Sequence, residues 1–144
     1  MVLDSDFKLV HGASCWRAAV LCAKEYGSTI PDEPPAVCVA VRWVPRVYGA
    51  AHGFCGDYFA ASVGAIDTTA GLVIFEWMVA RPDLPLRVRH KAIEHLMRAG
   101  MVYATAIGKR IVTLNTPIGV RKLAERIGFA RVNKDLEVLE GEIE

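Results

Sequence analysis

The pattern of apolar and polar residues in the second half of the chain predicts a strand, a turn and a long helix. The run Gly71 to Ala80 (GLVIFEWMVA) is apolar at nearly every position, which is typical of a strand buried on both faces of a sheet. The turn RPDLPL, with two prolines, follows it. Apolar residues then recur at helical spacing: Ile93, Leu96, Met97, Gly100, Met101 and Ala104. We therefore predict a central strand followed by a helix that Gly108 ends.

A second strand and helix follow in the same order. Ile111 to Asn115 (IVTLN) has the composition of a strand, and Thr116 and Pro117 are suited to begin a helix. Gly128 ends that helix, whose apolar face is predicted to comprise Val120, Leu123, Ala124 and Ile127. The strand–helix–strand unit at about residues 71–115 predicts a parallel strand pair. FARVN and LEVLEG are short candidate strands at the end of the chain.

The first half of the chain predicts a strand, a helix and a hairpin. Phe7 to Val10 is a short candidate strand, and Ser14 is predicted to cap a helix that reaches about Tyr26. After the loop PDEPP, the runs Ala36 to Trp43 and Val47 to Phe54 resemble two strands of an antiparallel hairpin. The segment 55–70 is compatible with either a short strand or an ordered loop. The element order predicts a single domain (1–144) of the α/β (α+β) class, with a mixed central sheet flanked by helices.

Composition excludes several classes of protein. Hydrophobic residues make up 53% of the 144 residues and charged residues 23%, which is typical of a globular chain. The net charge of +1 and the absence of aromatic residues among the clustered basic ones argue against a nucleic-acid partner. No apolar run reaches the roughly 20 residues of a membrane span, and the first residues lack the features of a signal peptide, so we expect no membrane partner and a cytoplasmic location. The four cysteines form no CxxC pair, so we expect no metal and treat them as small buried hydrophobes.

Basic residues cluster at the predicted start of the long helix. Arg87, Arg89, His90 and Lys91 lie within five positions of each other. One interpretation is a solvated helix face. The other is an anion site, because the first N–H groups of a helix are unpaired and the helix dipole favours negative charge there.

The second half of the chain resembles the GCN5-related N-acetyltransferase (GNAT) superfamily. That family has the signature Gln/Arg-x-x-Gly-x-Gly/Ala at the turn after its central strand, and here Arg87-Val88-Arg89-His90-Lys91-Ala92 matches it at Arg87 and Ala92. The strand that ends in Asn115, the following helix and then Gly128-Phe129 resemble the family's next segment. The resemblance implies a GNAT-like fold.

The resemblance also implies a cofactor and a reaction. Acetyl-CoA, or CoA, is the implied cofactor, and transfer of its acyl group to a small-molecule or peptide amine through a ternary complex is the implied reaction. Glu76, on the strand before the loop, is the implied general base. Amide groups near Val79 are the implied partners of the thioester carbonyl. The residues implied to bind the cofactor are Met78, Val79, Ala80, Arg87, Val88, Arg89, His90, Lys91, Ala92 and Asn115.

Two positions depart from the family pattern and leave two functions open. His90 replaces a glycine of the signature, where a Cβ opposes close approach of a diphosphate. Ala124 occupies the position of a tyrosine that acts as general acid in many members, and Tyr103 and Tyr58 are the nearest substitutes along the sequence. The alternatives are therefore an active N-acyltransferase and a catalytically inactive CoA-binding or structural module. Some tailed bacteriophages encode short, divergent GNAT-like proteins of the second kind.

Some further residues bear on the site. In HGFCGD, His52 and Cys55 permit a cysteine nucleophile, but a glycine-flanked loop from which Asp57 or Tyr58 contacts substrate is the commoner arrangement. Trp16, Trp43 and Trp77 are expected in the core or the cleft wall, and His95 is expected in solvent. Family members often dimerise through terminal strands, so the resemblance implies a homodimer through VNKDLEVLE.

Overall fold

A five-stranded sheet organises the chain. The computed structural model describes residues 2–44, 59–113 and 118–129. The strands lie side by side in chain order: β1 (Phe7–His11), β2 (Val37–Trp43), β3 (Phe59–Asp67), β4 (Leu72–Ala80) and β5 (Arg110–Thr113). The helices are α1 (Trp16–Glu25), α2 (Leu86–Ala106) and α3 (Ile118–Arg126), with short 3₁₀ turns at Asp4–Asp6 and Gly12–Cys15. This α+β architecture confirms the predicted fold class.

The β4–α2–β5 unit has the predicted form. β4 pairs in parallel with β5, from Leu72 opposite Arg110 to Phe75 opposite Thr113. The other neighbouring pairs of strands are antiparallel. The predicted apolar stripe of α2 is buried except for the half-buried Met101. Because β4 has a strand on each side and a helix over each face, its almost wholly apolar sequence is explained.

Helices cover both faces of the sheet. One core contains residues of α2 and α3 together with Val41, Val63, Val73 and Phe75 of the strands. The other core joins α1 to Cys38, Ala40 and Val79 on the opposite face. Trp16 and Trp43 are buried as predicted, and so are Cys22 and Cys38, whereas Cys15 is half-buried and Cys55 lies outside the described residues.

The segment 55–70, for which the sequence allows either a strand or a loop, contains a strand from residue 59 onward. β3 pairs with β2 on one side and with β4 on the other, and its residues from Phe59 to Ala65 are buried. Its sequence gives a weak strand signal because three alanines and a glycine have low β-propensity. The predicted hairpin strand Val47 to Phe54 and the terminal strands after Phe129 lie outside the described residues.

The predicted cap of the first helix is wrong. The N-cap residue of α1 is Cys15, which makes no side-chain capping hydrogen bond. The Ser14 hydroxyl donates instead to the His11 carbonyl at 2.7 Å, within the 3₁₀ turn that precedes α1. The short side chain satisfies a local backbone group here, as serine commonly does next to helix ends. Tyr26, the predicted end of this helix, is the C-cap residue of α1 and is exposed.

Candidate active site

The candidate site lies where β4 ends and α2 begins. β4 ends at Ala80 and α2 starts at Leu86, so only five residues join the central strand to the helix. This short connection places the first turn of α2 close to the end of the strand. The predicted base and the predicted anion-binding residues are thus carried by adjacent parts of the fold.

A β-bulge changes the course of β4 within the site. Ser62 pairs with Val79 and Gly64 pairs with Glu76, so Trp77 and Met78 together oppose Val63. Trp77 has φ 57°, a left-handed conformation that costs a non-glycine residue about 1–2 kcal/mol. Its side chain packs in the α1 core, whereas Met78 and Ala80 pack against the α2 core. Each residue of β4 after the bulge therefore points to the face opposite to the one that it would occupy in a regular strand.

The described part of β5 pairs with the first half of β4, from Leu72 to Phe75. The recorded pairing ends at Phe75 and Thr113, although β4 continues to Ala80. The residues that follow Thr113, 114–117, lie outside the described part, and the predicted ligand Asn115 is among them. Met78 and Ala80, two of the predicted cofactor contacts, lie on this continued part of β4.

Glu76 lies immediately before the bulge. Its neighbour Phe75 is buried in the α2 core, so strand alternation directs Glu76 toward the α1 face. The side chain of Glu76 is half-buried. Its carboxylate forms no ion pair with any residue that the structure describes. An unpaired carboxylate at this depth is chemically suited to accept a proton from an amine.

The first turn of α2 has no cap. Pro85 is the N-cap residue and offers no side-chain hydrogen bond, and the first turn contains no acidic residue. The Arg89 N–H donates to the Pro85 carbonyl at 3.0 Å. Within the described ranges, nothing accepts a hydrogen bond from the N–H groups of Leu86, Arg87 or Val88. These three donors and the positive end of the helix dipole make this helix start suitable for an anion.

The side chains of the predicted anion loop differ in accessibility. Arg87 is exposed, and His90 is half-buried. Arg89 is also half-buried, and its Nε is a buried donor without a hydrogen-bond partner. Val88 and Ala92 are buried in the core, so any contact of Val88 with a ligand is restricted to its backbone.

Lys91, another predicted ligand, is paired with the N-terminal segment. Its Nζ lies 2.9 Å from the Asp4 carboxylate and 3.7 Å from Glu94. The hydrogen bond from Lys91 holds the pKa of Asp4 below its usual value, and the same bond raises the pKa of Lys91. The Lys91 ammonium group is therefore already engaged by Asp4.

The prediction that His95 is exposed to solvent is wrong, because its side chain is half-buried. Its ring stacks on Phe7 with centroids 5.0 Å apart, and its Nε2 lies 3.5 Å from Asp4. Sequence reasoning missed this contact between the N-terminal segment and α2, because Asp4 and Lys91 are 87 positions apart. It also missed the bulge, because the apolar residues around Trp77 conceal any change of face.

The remaining predicted residues have different outcomes. Asp57, Tyr58, His52 and Cys55 lie outside the described residues. Ala124 is buried in the core between α2 and α3, and Tyr103 is partly buried against the same core. The described part of the chain has no helix long and apolar enough to cross a membrane. It also contains no group of three or more His, Cys, Asp or Glu residues placed to hold a metal ion.

Solved acetyltransferases share this fold. No family model and no curated protein sequence matches the chain. A glucosamine-6-phosphate N-acetyltransferase from Arabidopsis thaliana is similar in structure, with TM-score 0.55, 14% identity and coverage of 94% of this chain and 97% of the other. An acetyltransferase from Trypanosoma brucei gives TM-score 0.56 and 13% identity over 94% of this chain and all of the other. A probable acetyltransferase gives TM-score 0.55 and 13% identity, over 96% of this chain and 97% of the other. The chain therefore has a divergent GNAT-like fold.

Proposed function

We propose that this chain is an acyl-CoA-dependent N-acyltransferase whose diphosphate-binding element is the first turn of α2. The observation that carries the proposal is the uncapped start of α2 beside the end of β4, in a fold shared with acetyltransferases. The group supplied by the cofactor is an acyl thioester, with acetyl-CoA as the expected form.

The residues at the helix start fit a diphosphate. Three backbone donors have no acceptor among the described residues, and the buried Nε of Arg89 has no hydrogen-bond partner. The exposed Arg87 can add charge-assisted hydrogen bonds. No acidic residue in the first turn opposes an anion. His90 is tolerated in this proposal because the diphosphate is assigned to the N–H groups of residues 86–88, ahead of the position where glycine is expected.

The proposed role of β4 is to orient the reacting groups. Its continued edge from Met78 to Ala80 is assigned to the pantetheine and acyl parts of the cofactor. Glu76 is assigned to remove a proton from the acceptor amine, which must be neutral to attack an acyl group. The acceptor is proposed to be a small-molecule or peptide amine.

A calorimetric titration with acetyl-CoA tests cofactor binding. We expect saturable binding, and Arg87→Ala should weaken it by about 1–3 kcal/mol, or about 5- to 150-fold. Arg98→Ala is the matched control, because Arg98 is an exposed arginine of the same helix, paired with Glu94 at 3.1 Å. Absence of binding at high micromolar ligand would refute the cofactor assignment, and equal losses in both variants would refute the site.

A second candidate function is an inactive CoA-binding module. The observation that favours it is Ala124, which is buried in the core at the position of the family's general acid and bears no proton donor. Turnover of acetyl-CoA with a panel of amines separates the two functions. Turnover that Glu76→Gln abolishes while acetyl-CoA affinity is unchanged supports the enzyme. Binding without turnover supports the module.

A further inference from the structure

The turn between β4 and α2 contains a buried arginine that binds a carboxylate through two N–H groups of its guanidinium. Arg81 Nε lies 2.6 Å from Asp83 Oδ1, and Arg81 Nη2 lies 3.0 Å from Asp83 Oδ2. The side chain of Arg81 is 2% exposed and that of Asp83 is 43% exposed. Both oxygens of Asp83 are therefore engaged by one planar fork, the strongest geometry for such a pair.

Backbone contacts attach the same turn to the rest of the fold. The Arg81 N–H donates to the Ala60 carbonyl of β3 at 2.7 Å. Leu84, in the middle of the turn, is buried in the core under α2. The Arg89 N–H closes the first helical turn on Pro85. The ion pair thus lies within the five-residue connection between the end of β4 and the start of α2.

Stability alone is a weak explanation for a buried arginine. Removing the charge of a guanidinium from water has a large desolvation cost, and apolar replacements of buried pairs are often neutral or stabilising. A fork with fixed geometry does, however, specify one conformation of the turn. Asp83 is also the acidic residue nearest in sequence to the open helix start, and a free carboxylate would be attracted to those N–H groups.

We propose that Arg81 and Asp83 are positioning residues for the anion site of α2. The pair fixes the path of the turn, so that the N–H groups of Leu86, Arg87 and Val88 stay at a set position relative to β4. It also keeps the Asp83 carboxylate bound to Arg81, away from donors that a diphosphate requires. This inference rests on the proposed function and adds two positioning residues to its cofactor site.

Two charge-conserving variants test the proposal. Arg81→Lys keeps the charge but loses the fork, and Asp83→Glu keeps the charge but lengthens the side chain of a half-exposed residue. Each is titrated calorimetrically with CoA and with pantetheine, which lacks the diphosphate. We expect CoA affinity to fall by about tenfold, the loss typical of a charge-assisted hydrogen bond, while pantetheine affinity stays within about twofold. Arg98→Lys, a charge-conserving change in the Arg98–Glu94 pair of α2, should alter neither affinity.

Amide hydrogen exchange measured by NMR gives a readout without ligand. The Arg89 amide, which closes the first turn, should exchange faster in Arg81→Lys and Asp83→Glu than in the wild type and in Arg98→Lys. Equal losses of CoA and pantetheine affinity would indicate general destabilisation and overturn the proposal, as would unchanged CoA affinity. If the wild type binds no CoA, the proposed function fails. The exchange of Arg89 then decides the positioning role: faster exchange supports it, and unchanged exchange overturns it.

Discussion

Gly100 of α2 stands directly against the ring of Phe75 of β4. A Cβ placed on Gly100 would overlap the Phe75 ring and would lie 2.7 Å from Ile111 Cδ1. The helix therefore lies as close to the sheet as a residue without a side chain permits. Phe75 also pairs with Thr113 of β5, so this contact joins α2 to the parallel β4–β5 part of the sheet.

Gly100→Ala should destabilise the protein despite the better helix propensity of alanine. The gain in helix propensity is about 1 kcal/mol, whereas a methyl group forced into a filled core costs about 1–3 kcal/mol, so we expect a net loss of up to about 2 kcal/mol. Urea unfolding followed by circular dichroism measures it. Phe75→Leu in the same chain should restore part of the loss, and Thr105→Ala at an exposed position of α2 should have little effect. A stabilised Gly100→Ala variant would contradict the close approach.

Gly64→Ala should disturb the packing over the bulge. A Cβ on Gly64 would lie 2.8 Å from Pro35 Cγ and 2.9 Å from Trp77 Cε3, both in side chains with little freedom to move. We expect a loss of about 1–3 kcal/mol, seen as a lower thermal midpoint. Pro35→Ala makes room for the methyl group, so the double variant should be less unstable than the sum of the single ones. Simple additivity would show that Pro35 does not confine Gly64.

Lys91→Met should raise the pKa of Asp4 toward its usual value of 3.8, because Lys91 is the main cause of its lowering. A carboxylate whose pKa is lowered by folding contributes stability above its usual pKa, and this contribution is lost as the pH falls through the lowered value. Because the pKa of Lys91 is raised above 10.5, its ammonium group stays charged to a higher pH. The stability contributed by the ion pair is therefore lost at high pH only above 10.5.

NMR titration of the Asp4 side-chain carbon measures this effect. Wild type should titrate below 3.8, and the Lys91→Met midpoint should lie higher. His95→Gln should shift it less, because the histidine is a smaller cause of the lowering. Identical midpoints in wild type and Lys91→Met would show that the ion pair does not form in solution.

Alkylation should distinguish the cysteines. Burial raises the pKa of the Cys38 thiol, so little thiolate is present near neutral pH, and access to it is restricted as well. Cys15 is half-buried and should react faster. Limited treatment with iodoacetamide at pH 8, followed by peptide mass spectrometry, should show Cys15 modified well before Cys38 and Cys22. Equal rates at Cys15 and Cys38 would contradict the packing of α1 on the sheet.

The sequence predicts the elements whose apolar residues follow one clear period. The all-apolar run of β4 and the stripe of α2 are of this kind, and both elements are confirmed to within about a residue at each end. The sequence leaves the segment 55–70 open between a strand and a loop, because small residues of β3 such as Ala61 and Gly64 have low β-propensity. At Gly64, a Cβ would lie within 3 Å of Pro35 and Trp77, so the fold requires a residue without a side chain there. The sequence pattern does not report that constraint.

The candidate site could be predicted only in part. The basic start of α2 is visible as a local cluster, so its position follows directly from the sequence. The pairing of Arg81 with Asp83 is concealed in a turn with two prolines, where no periodicity applies. The approach of Asp4 to Lys91 depends on where the chain returns in space, which one sequence does not contain. The roles assigned to Glu76 and Arg87 remain predictions.

The bulge at Trp77 has a consequence for comparing this chain with others. β4 contains one residue more than β3 between Glu76 and Val79, so every later position is displaced by one relative to a regular strand. Met78 and Ala80 face α2. An alignment without a one-residue gap here would assign them to the α1 face of the sheet. Mutations transferred from a homologue by residue number alone would then reach the wrong layer of the molecule.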